Sequence, residues 1–216
     1  MDGRKRLTVR LRRACAADVP AMLDIREALR LRPGAPVPSG GFLLGCSEAR
    51  YRLLVERADV LVLEIRGQLS GFAVTLPDPV LRASELWARR DRIVWGAGHS
   101  EPPPNERIAY FDQLALAPTA ARLHAPMLAL AALRTIAEQR HGRVYATTLR
   151  APMPNSAAVP LIAAAGGRVV GQVTEEYEEV GEVTSDLYEV LLPEGMAAAL
   201  ATSAGTRTIS SLRLAA

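Results

Sequence analysis

Residues 107–127 read RIAYFDQLALAPTAARLHAPM. The first ten, from Arg107 to Leu116, are dense in apolar and aromatic side chains and give the strongest strand pattern in the middle of the chain. Pro118 closes that run, and Pro126 suits the first turn of a helix, where its missing N–H costs nothing. A long Ala/Leu stretch continues the helix to Arg140. A strand, a loop of phosphate size and a helix start thus follow one another. The free backbone N–H groups of a helix start form an anion site.

The flanking sequence extends this pattern. Residues 7–13 (LTVRLRR) alternate apolar and polar side chains as a half-buried strand does. Asp18 ahead of Pro20 marks a helix start, and the helix should end before Pro33. Residues 33–45 are a Pro/Gly-rich loop, after which Ser47 can cap a short helix to about Glu56. Residues 59–65 and 68–76 are strands joined tightly at Arg66-Gly67, which makes a hairpin. Residues 81–94 could form an extra helix, and 96–104 read as a surface loop. Residues 144–149, 168–174 and 183–192 are further strands, and residues 155–165 are a helix ended by Gly166-Gly167. The order is β-α-α-β-β-(insert)-β-α-β-α-β-β, an α/β fold of about seven strands and four or more helices. Its alternating second half predicts a partly parallel, mixed sheet. Residues 1–194 read as one domain, and residues 195–216 as a tail in which 208–214 could pair as an edge strand or stay mobile.

A chain of 216 residues that is 49% hydrophobic can bury one sizeable core, and 5% aromatics mean that Ala, Leu, Val and Ile must build it. The net charge of +3 is mild, and no nucleic-acid module accompanies it, so a nucleic-acid partner is not expected. Two cysteines make no disulfide framework, and neither a signal core nor a spanning apolar run is present. The expectation is a reduced, cytoplasmic protein without membrane contact. No G-x-G-x-x-G follows the first strand, which argues against a dinucleotide-binding fold.

The element order and residues 114–127 resemble the GNAT superfamily of acyl-CoA N-acyltransferases, and the likeness covers residues 7–192. Its core is Leu114-Ala115-Leu116-Ala117-Pro118 followed by residues 122–127. In that family the strand backbone pairs with pantetheine, and Arg/Gln-x-x-Gly-x-Gly/Ala opens the helix that holds the pyrophosphate. The resemblance implies acetyl-CoA, or another acyl-CoA, as co-substrate without a metal. It places Leu114, Leu116, Arg122, Leu123, His124, Ala125 and Met127 at that site. The family glycines are missing. If the loop is one residue longer, Arg122 keeps the Arg/Gln position, while Ala125 and Met127 stand at the glycines. With no insertion, Ala121 takes the Arg position, and His124 and Pro126 replace the glycines. The first register is preferred because it keeps Arg122 and starts the helix at Pro126. A second match joins Asn155, Ala158, Gly166, Val170 and Gly171. It implies a hydrogen bond from Asn155 near the pantetheine, although a simple helix cap would also use that side chain. The family's tyrosine acid falls on Ile162, which has no proton to give.

The chemistry implied is direct acyl transfer to a primary amine of a small molecule or peptide. The amine must be neutral to attack, which favours a general base. Asp112 on the central strand is the candidate base, with a structural hydrogen bond to a neighbouring loop as the plainer reading. Tyr110, on the same face by alternation, is a candidate substrate contact or proton relay, against simple packing. His99, His124 and His141 lack metal-site spacing, and no His/Asp pattern accompanies Cys46. Residues 175–189 hold seven carboxylates and no basic residue, a rim that would favour a cationic acceptor by steering. A solvated hairpin or a dimer edge accounts for the same run. Oligomeric state is not fixed by the sequence, and a homodimer is common in families the chain resembles. The rival functional reading is a non-catalytic GNAT-like module that binds a CoA species or a partner protein.

Overall fold

A computed structural model describes residues 8–31, 40–118 and 123–192. The strands in chain order are β1 (Val9–Arg13), β2 (Asp59–Ile65), β3 (Gln68–Leu76), β4 (Ile93–Trp95), β5 (Ile108–Leu116), β6 (Arg143–Ala151), β7 (Arg168–Tyr177) and β8 (Gly181–Leu191). The helices are α1 (Val19–Ala28), α2 (Glu48–Arg57), α3 (Asp78–Arg82), α4 (Glu85–Ala88), α5 (Ala125–Glu138) and α6 (Val159–Ala164). They build one mixed sheet in the order β1-β2-β3-β5-β6-β8-β7-β4. Neighbours pair antiparallel except β5 and β6, which are parallel, as the alternating second half predicted. At the β2–β3 hairpin, Arg66 (φ 54°) and Gly67 (φ 77°) both take the left-handed conformation that matches the twist of the strands.

Three expectations need correction. The sheet has eight strands, not about seven, because the segment expected as one helix over residues 81–94 contributes a strand. Ser84 ends α3 and starts α4: its hydroxyl donates to the Leu81 carbonyl and accepts from the Trp87 N–H. Ile93, Val94 and Trp95 then pair with β7 as an edge strand. Contact there is close, since a Cβ on Gly171 would stand 2.8 Å from the Val94 carbonyl oxygen. The third correction is α6, which begins at Val159 and not at Asn155. A helix from residue 155 would carry Pro160 in its interior, where the ring clashes with the preceding turn; starting at Val159 places Pro160 in the first turn. Gly166, with φ 74°, ends it as expected.

The core lies on both faces of the sheet. On one, Val19, Met22 and Ile25 of α1 and Tyr51 and Leu54 of α2 meet Val60, Val62, Phe72 and Val74. Tyr51 and Phe72 pack edge to face at 5.7 Å. On the other, Leu128, Ala131 and Ala132 of α5 cover Leu61, Leu63 and Ala73. Side chains with no exposed surface, such as Met22, Leu63 and Phe72, each contribute about 1.5–3 kcal/mol by burial. Among the described residues, no helix is long and apolar enough to cross a membrane. The expected edge strand at 208–214 and most of the loop over 33–45 lie outside the described residues.

Candidate active site

The strongest strand of the sequence is also where the sheet parts. β5 and β6 pair only from Ile108 opposite Arg143 to Phe111 opposite Ala146. Beyond that point β5 stays with β3 to Leu116, and β6 stays with β8 to Ala151. The two strands thus form a fork, and residues 112–116 of β5 face it with one backbone edge unpaired by β6. The fork has a local cause. Val74 pairs with Gln113 and Thr75 with Phe111, so Asp112 is an extra residue in β5. Such a bulge bends its strand and sharpens its twist. It sits one residue beyond the last pair with β6, at the vertex.

The bulge also sets the side chains. Leu114 and Leu116 pack beneath α5 with Met127, so their side chains belong to the core and their backbone faces the fork. The first helical residues of α5 are Ala125, Pro126 and Met127, and His124 makes no side-chain cap bond there. Ala125 and Met127 offer N–H groups at this end and Pro126 offers none. Leu123 is 83% exposed. Arg122 lies outside the described residues. Asn155 stands in the loop before α6, so the cap reading is corrected. Its Nδ2 donates to the Gly41 carbonyl at 3.1 Å and its Oδ1 accepts from the Ala157 N–H at 3.4 Å. It ties the loop after β6 to the loop between α1 and α2.

Asp112 and Gln113 both turn toward α1 and α2. Gln113 Nε2 donates to Asp112 Oδ2 at 2.8 Å, and Gln113 Oε1 accepts from the Tyr51 hydroxyl at 2.6 Å and from Arg26 Nη1 at 3.4 Å. Among the described residues, the partner of Asp112 is its neighbour on the bulge. Burial raises the Asp112 carboxyl above its ordinary range, while Gln113, Arg50 and Arg26 oppose the shift. Arg26 also donates to the Leu44 carbonyl at 2.6 Å and lies 4.5 Å over the Phe42 ring, which pins the loop ahead of α2. Tyr110 is buried, with its hydroxyl 2.6 Å from Thr147 Oγ1 on β6. Burial holds its proton well above the ordinary tyrosine range. Tyr51 and Tyr145 are each pushed up to about 12, chiefly by burial.

On the same face as Tyr110, the segment between β3 and β5 covers the sheet and encloses a cavity of about 80 Å³. Tyr110, Tyr145, Thr147 and Leu187 come from the sheet, and Trp87 and Trp95 from the covering segment. The acidic run of β7 and β8 borders it, but three of its carboxylates are already paired. Glu175 meets Arg89 at 2.8 Å, Asp186 meets Arg150 at 3.1 Å, and the buried Glu189 holds Arg143 and Arg168. Glu176, Glu178, Glu179 and Glu182 are exposed. Ile162 is partly buried and packs against the core cluster that contains Leu133, Ile136 and Val190. His141 is buried, accepting at Nε2 from the Asp78 N–H at 3.0 Å and facing the Ile136 carbonyl with Nδ1 at 3.2 Å. These bonds assign the neutral Nδ1–H form. Among the described residues, no group of three or more His, Cys, Asp and Glu could hold a metal ion.

The motif-based reading missed Arg26, Tyr51, Gln113 and Thr147. They join the site across 87, 62 and 37 residues of sequence, from Arg26 and Tyr51 to Gln113 and from Tyr110 to Thr147. Only the apolar helix faces that carry Arg26 and Tyr51 hinted at their position.

No protein-family model matches the sequence, and no curated protein matches it. Solved structures do. A ribosomal-protein-alanine N-acetyltransferase from Brucella melitensis is 20% identical, with 84% of this chain and 99% of that one covered at a TM-score of 0.56. NAA60 from Arabidopsis thaliana, in complex with acetyl-CoA, is 16% identical over 85% and 99% of the two chains, with a TM-score of 0.58. YncA from Salmonella typhimurium, with its cofactor acetyl-CoA, is 16% identical over 85% and 94%, with a TM-score of 0.56. At these identities the likeness is one of fold: the chain has the GNAT fold.

Proposed function

We propose that this chain is an acyl-CoA-dependent N-acyltransferase that moves an acetyl group from acetyl-CoA to a primary amine of a small molecule or peptide. The observation that carries this reading is the fork, in which residues 112–116 of β5 present a backbone edge that β6 leaves unpaired, beside the start of α5. Pantetheine has amide groups that suit such an edge. Ala125 and Met127 supply N–H groups for the pyrophosphate, and Arg122 and His124 are placed by sequence to add side-chain bonds. Pro126 supplies none, so the phosphate grip is weaker than a glycine loop would give. Two of the similar structures carry acetyl-CoA, which supports the same co-substrate here.

At the vertex the amine nitrogen attacks the thioester carbonyl. The C–N bond forms, the C–S bond breaks, and the electron pair leaves on sulfur. Asp112, with its carboxyl raised above its ordinary range by burial, takes the amine proton through water. Tyr110 keeps its own proton at neutral pH, so it acts as a hydrogen-bond donor to substrate or as a relay and not as a base. The thiolate takes its proton from solvent, since the isoleucine side chain at 162 has none to give. Calorimetric titration with acetyl-CoA, followed by a thiol-release assay over a panel of amines, tests this reading; absence of binding would sink it. Ile162 at the position of the family acid favours one other reading, a module that binds a CoA species without turnover. Binding with no thiol release from any amine would select it.

A further inference from the structure

Given the acyltransferase reading, the cavity beside the fork narrows the acceptor. Its walls are Trp87, Trp95, Leu86 and Leu187. Its polar point is the Tyr110 hydroxyl with Thr147 Oγ1, 2.6 Å apart. Thr147 is the first residue of β6 past its pairing with β5, so this pair sits at the vertex, where acyl transfer would occur. The charges around the cavity cancel. Arg89 meets Glu175 at 2.8 Å and Arg90 meets Glu101 at 2.7 Å, and these are the lining carboxylates. Trp87 already carries two cations, Arg82 at 4.9 Å and Arg90 at 5.2 Å from its ring centre. Among the described residues, neither lining carboxylate is left without a partner to hold a second ammonium.

We propose that the acceptor is a primary amine bearing an aromatic or bulky branched group one or two carbons from nitrogen. The group fills this cavity, and the nitrogen lies at the Tyr110–Thr147 pair. A ligand that is polar at one end and apolar elsewhere satisfies both parts of the lining. A polyamine would bring a further charge to an apolar wall that cannot pair it. A long or aryl acyl chain would press hydrocarbon on two hydroxyls that need polar partners.

The chain has two tryptophans, Trp87 and Trp95, and both line the cavity. Tryptophan fluorescence therefore reports occupancy without turnover. The intact chain, saturated with CoA, is titrated with 2-phenylethylamine, a peptide with N-terminal phenylalanine, ethylamine, spermidine and, without CoA, phenylacetyl-CoA. The expected result is a saturable change with 2-phenylethylamine or the peptide at concentrations at least about tenfold below those for ethylamine and spermidine. Whichever of the first two binds more tightly identifies a small-molecule or a peptide source. Ser185→Phe and, at its cross-strand partner on β7, Val173→Phe should each abolish that change while acetyl-CoA still binds by calorimetry; either folded variant suffices. Equal or tighter binding of ethylamine or spermidine overturns the proposal. A response to phenylacetyl-CoA alone also overturns it and gives the cavity to the acyl group. If acetyl-CoA binds and 2-phenylethylamine and the peptide do not, the acyltransferase reading stands and the cavity assignment falls. If acetyl-CoA fails to bind, the acyltransferase reading itself falls.

Discussion

Replacing Thr147 by valine keeps the shape of the side chain and removes its hydroxyl. Tyr110 is 7% exposed, and its hydroxyl has Thr147 as its partner. In Thr147→Val that phenol loses its protein partner and keeps only the narrow cavity it lines, which should cost about 1–3 kcal/mol. Tyr110→Phe removes the phenol instead. Thr147 is half-buried and lines the cavity, so its hydroxyl can turn to water, and the loss should be nearer 1 kcal/mol. The double variant leaves nothing unsatisfied. Its cost should fall short of the sum of the singles by about 1 kcal/mol. Urea unfolding followed by circular dichroism measures this cycle. For a slope of about 2–3 kcal/mol/M, a loss of about 2 kcal/mol moves the midpoint by roughly 0.7–1 M. If Thr147→Val left the midpoint in place, or if the two losses simply added, the Tyr110–Thr147 bond would not be the polar tie described at the vertex.

Other substitutions test separate parts of the molecule. Asp112→Asn should lower the rate of acyl transfer at least about tenfold with acetyl-CoA affinity kept, and an unchanged rate removes it as the base. In the parent chain the activity should fall on acidification at a pH above the ordinary carboxylate value of 3.8, because burial raises this group; a pH–rate profile locates that limb. Burial also lowers His141 below its ordinary 6.5. The unfolded chain then binds a proton that the folded chain refuses, so stability should decline as pH falls below about 6.5. His141→Leu should flatten that decline in unfolding curves taken across pH, and an unaltered slope would count against the buried neutral ring. Arg143→Met leaves the Glu189 side chain, 3% exposed, with Arg168 as its one cation among the described residues and a 3.5 Å bond from the Tyr145 hydroxyl, and should cost about 3 kcal/mol. Arg168→Met removes a guanidinium that is 59% exposed and should cost under about 1 kcal/mol. Equal midpoints for the two variants would refute this asymmetry.

Local signals carried most of the fold. The alternation in β1, the Arg66-Gly67 turn, Pro126 in the first turn of α5 and Gly166 after α6 all act within a few residues, and each stands where its chemistry placed it. Elements decided by competition between distant parts were less legible. β4 is three residues long and exists because β7 offers it a partner. The start of α6 turned on one proline against the pull of an Asn cap. The candidate site divides in the same way. Asp112 and Tyr110 lie within the strand that the sequence singled out, yet the bulge that aims Asp112 is visible only in the register of β5 against β3. The acidic run looked unpartnered because its arginines, at 89, 143, 150 and 168, lie outside residues 175–189.

The fork also bears on what can pair with the chain. An open strand edge is ordinarily a hazard, since it templates pairing with other polypeptides, and proteins blunt such edges at the margins of a sheet. β5 carries its open edge in the middle of the sheet, between β3 on one side and the departing β6 on the other. A second polypeptide strand brings side chains on both of its faces and needs about 4.8 Å of clearance on either side. A thin, unbranched chain with amides and no side chains makes no such demand. The geometry that leaves this edge unpaired by β6 therefore also screens what can pair with it.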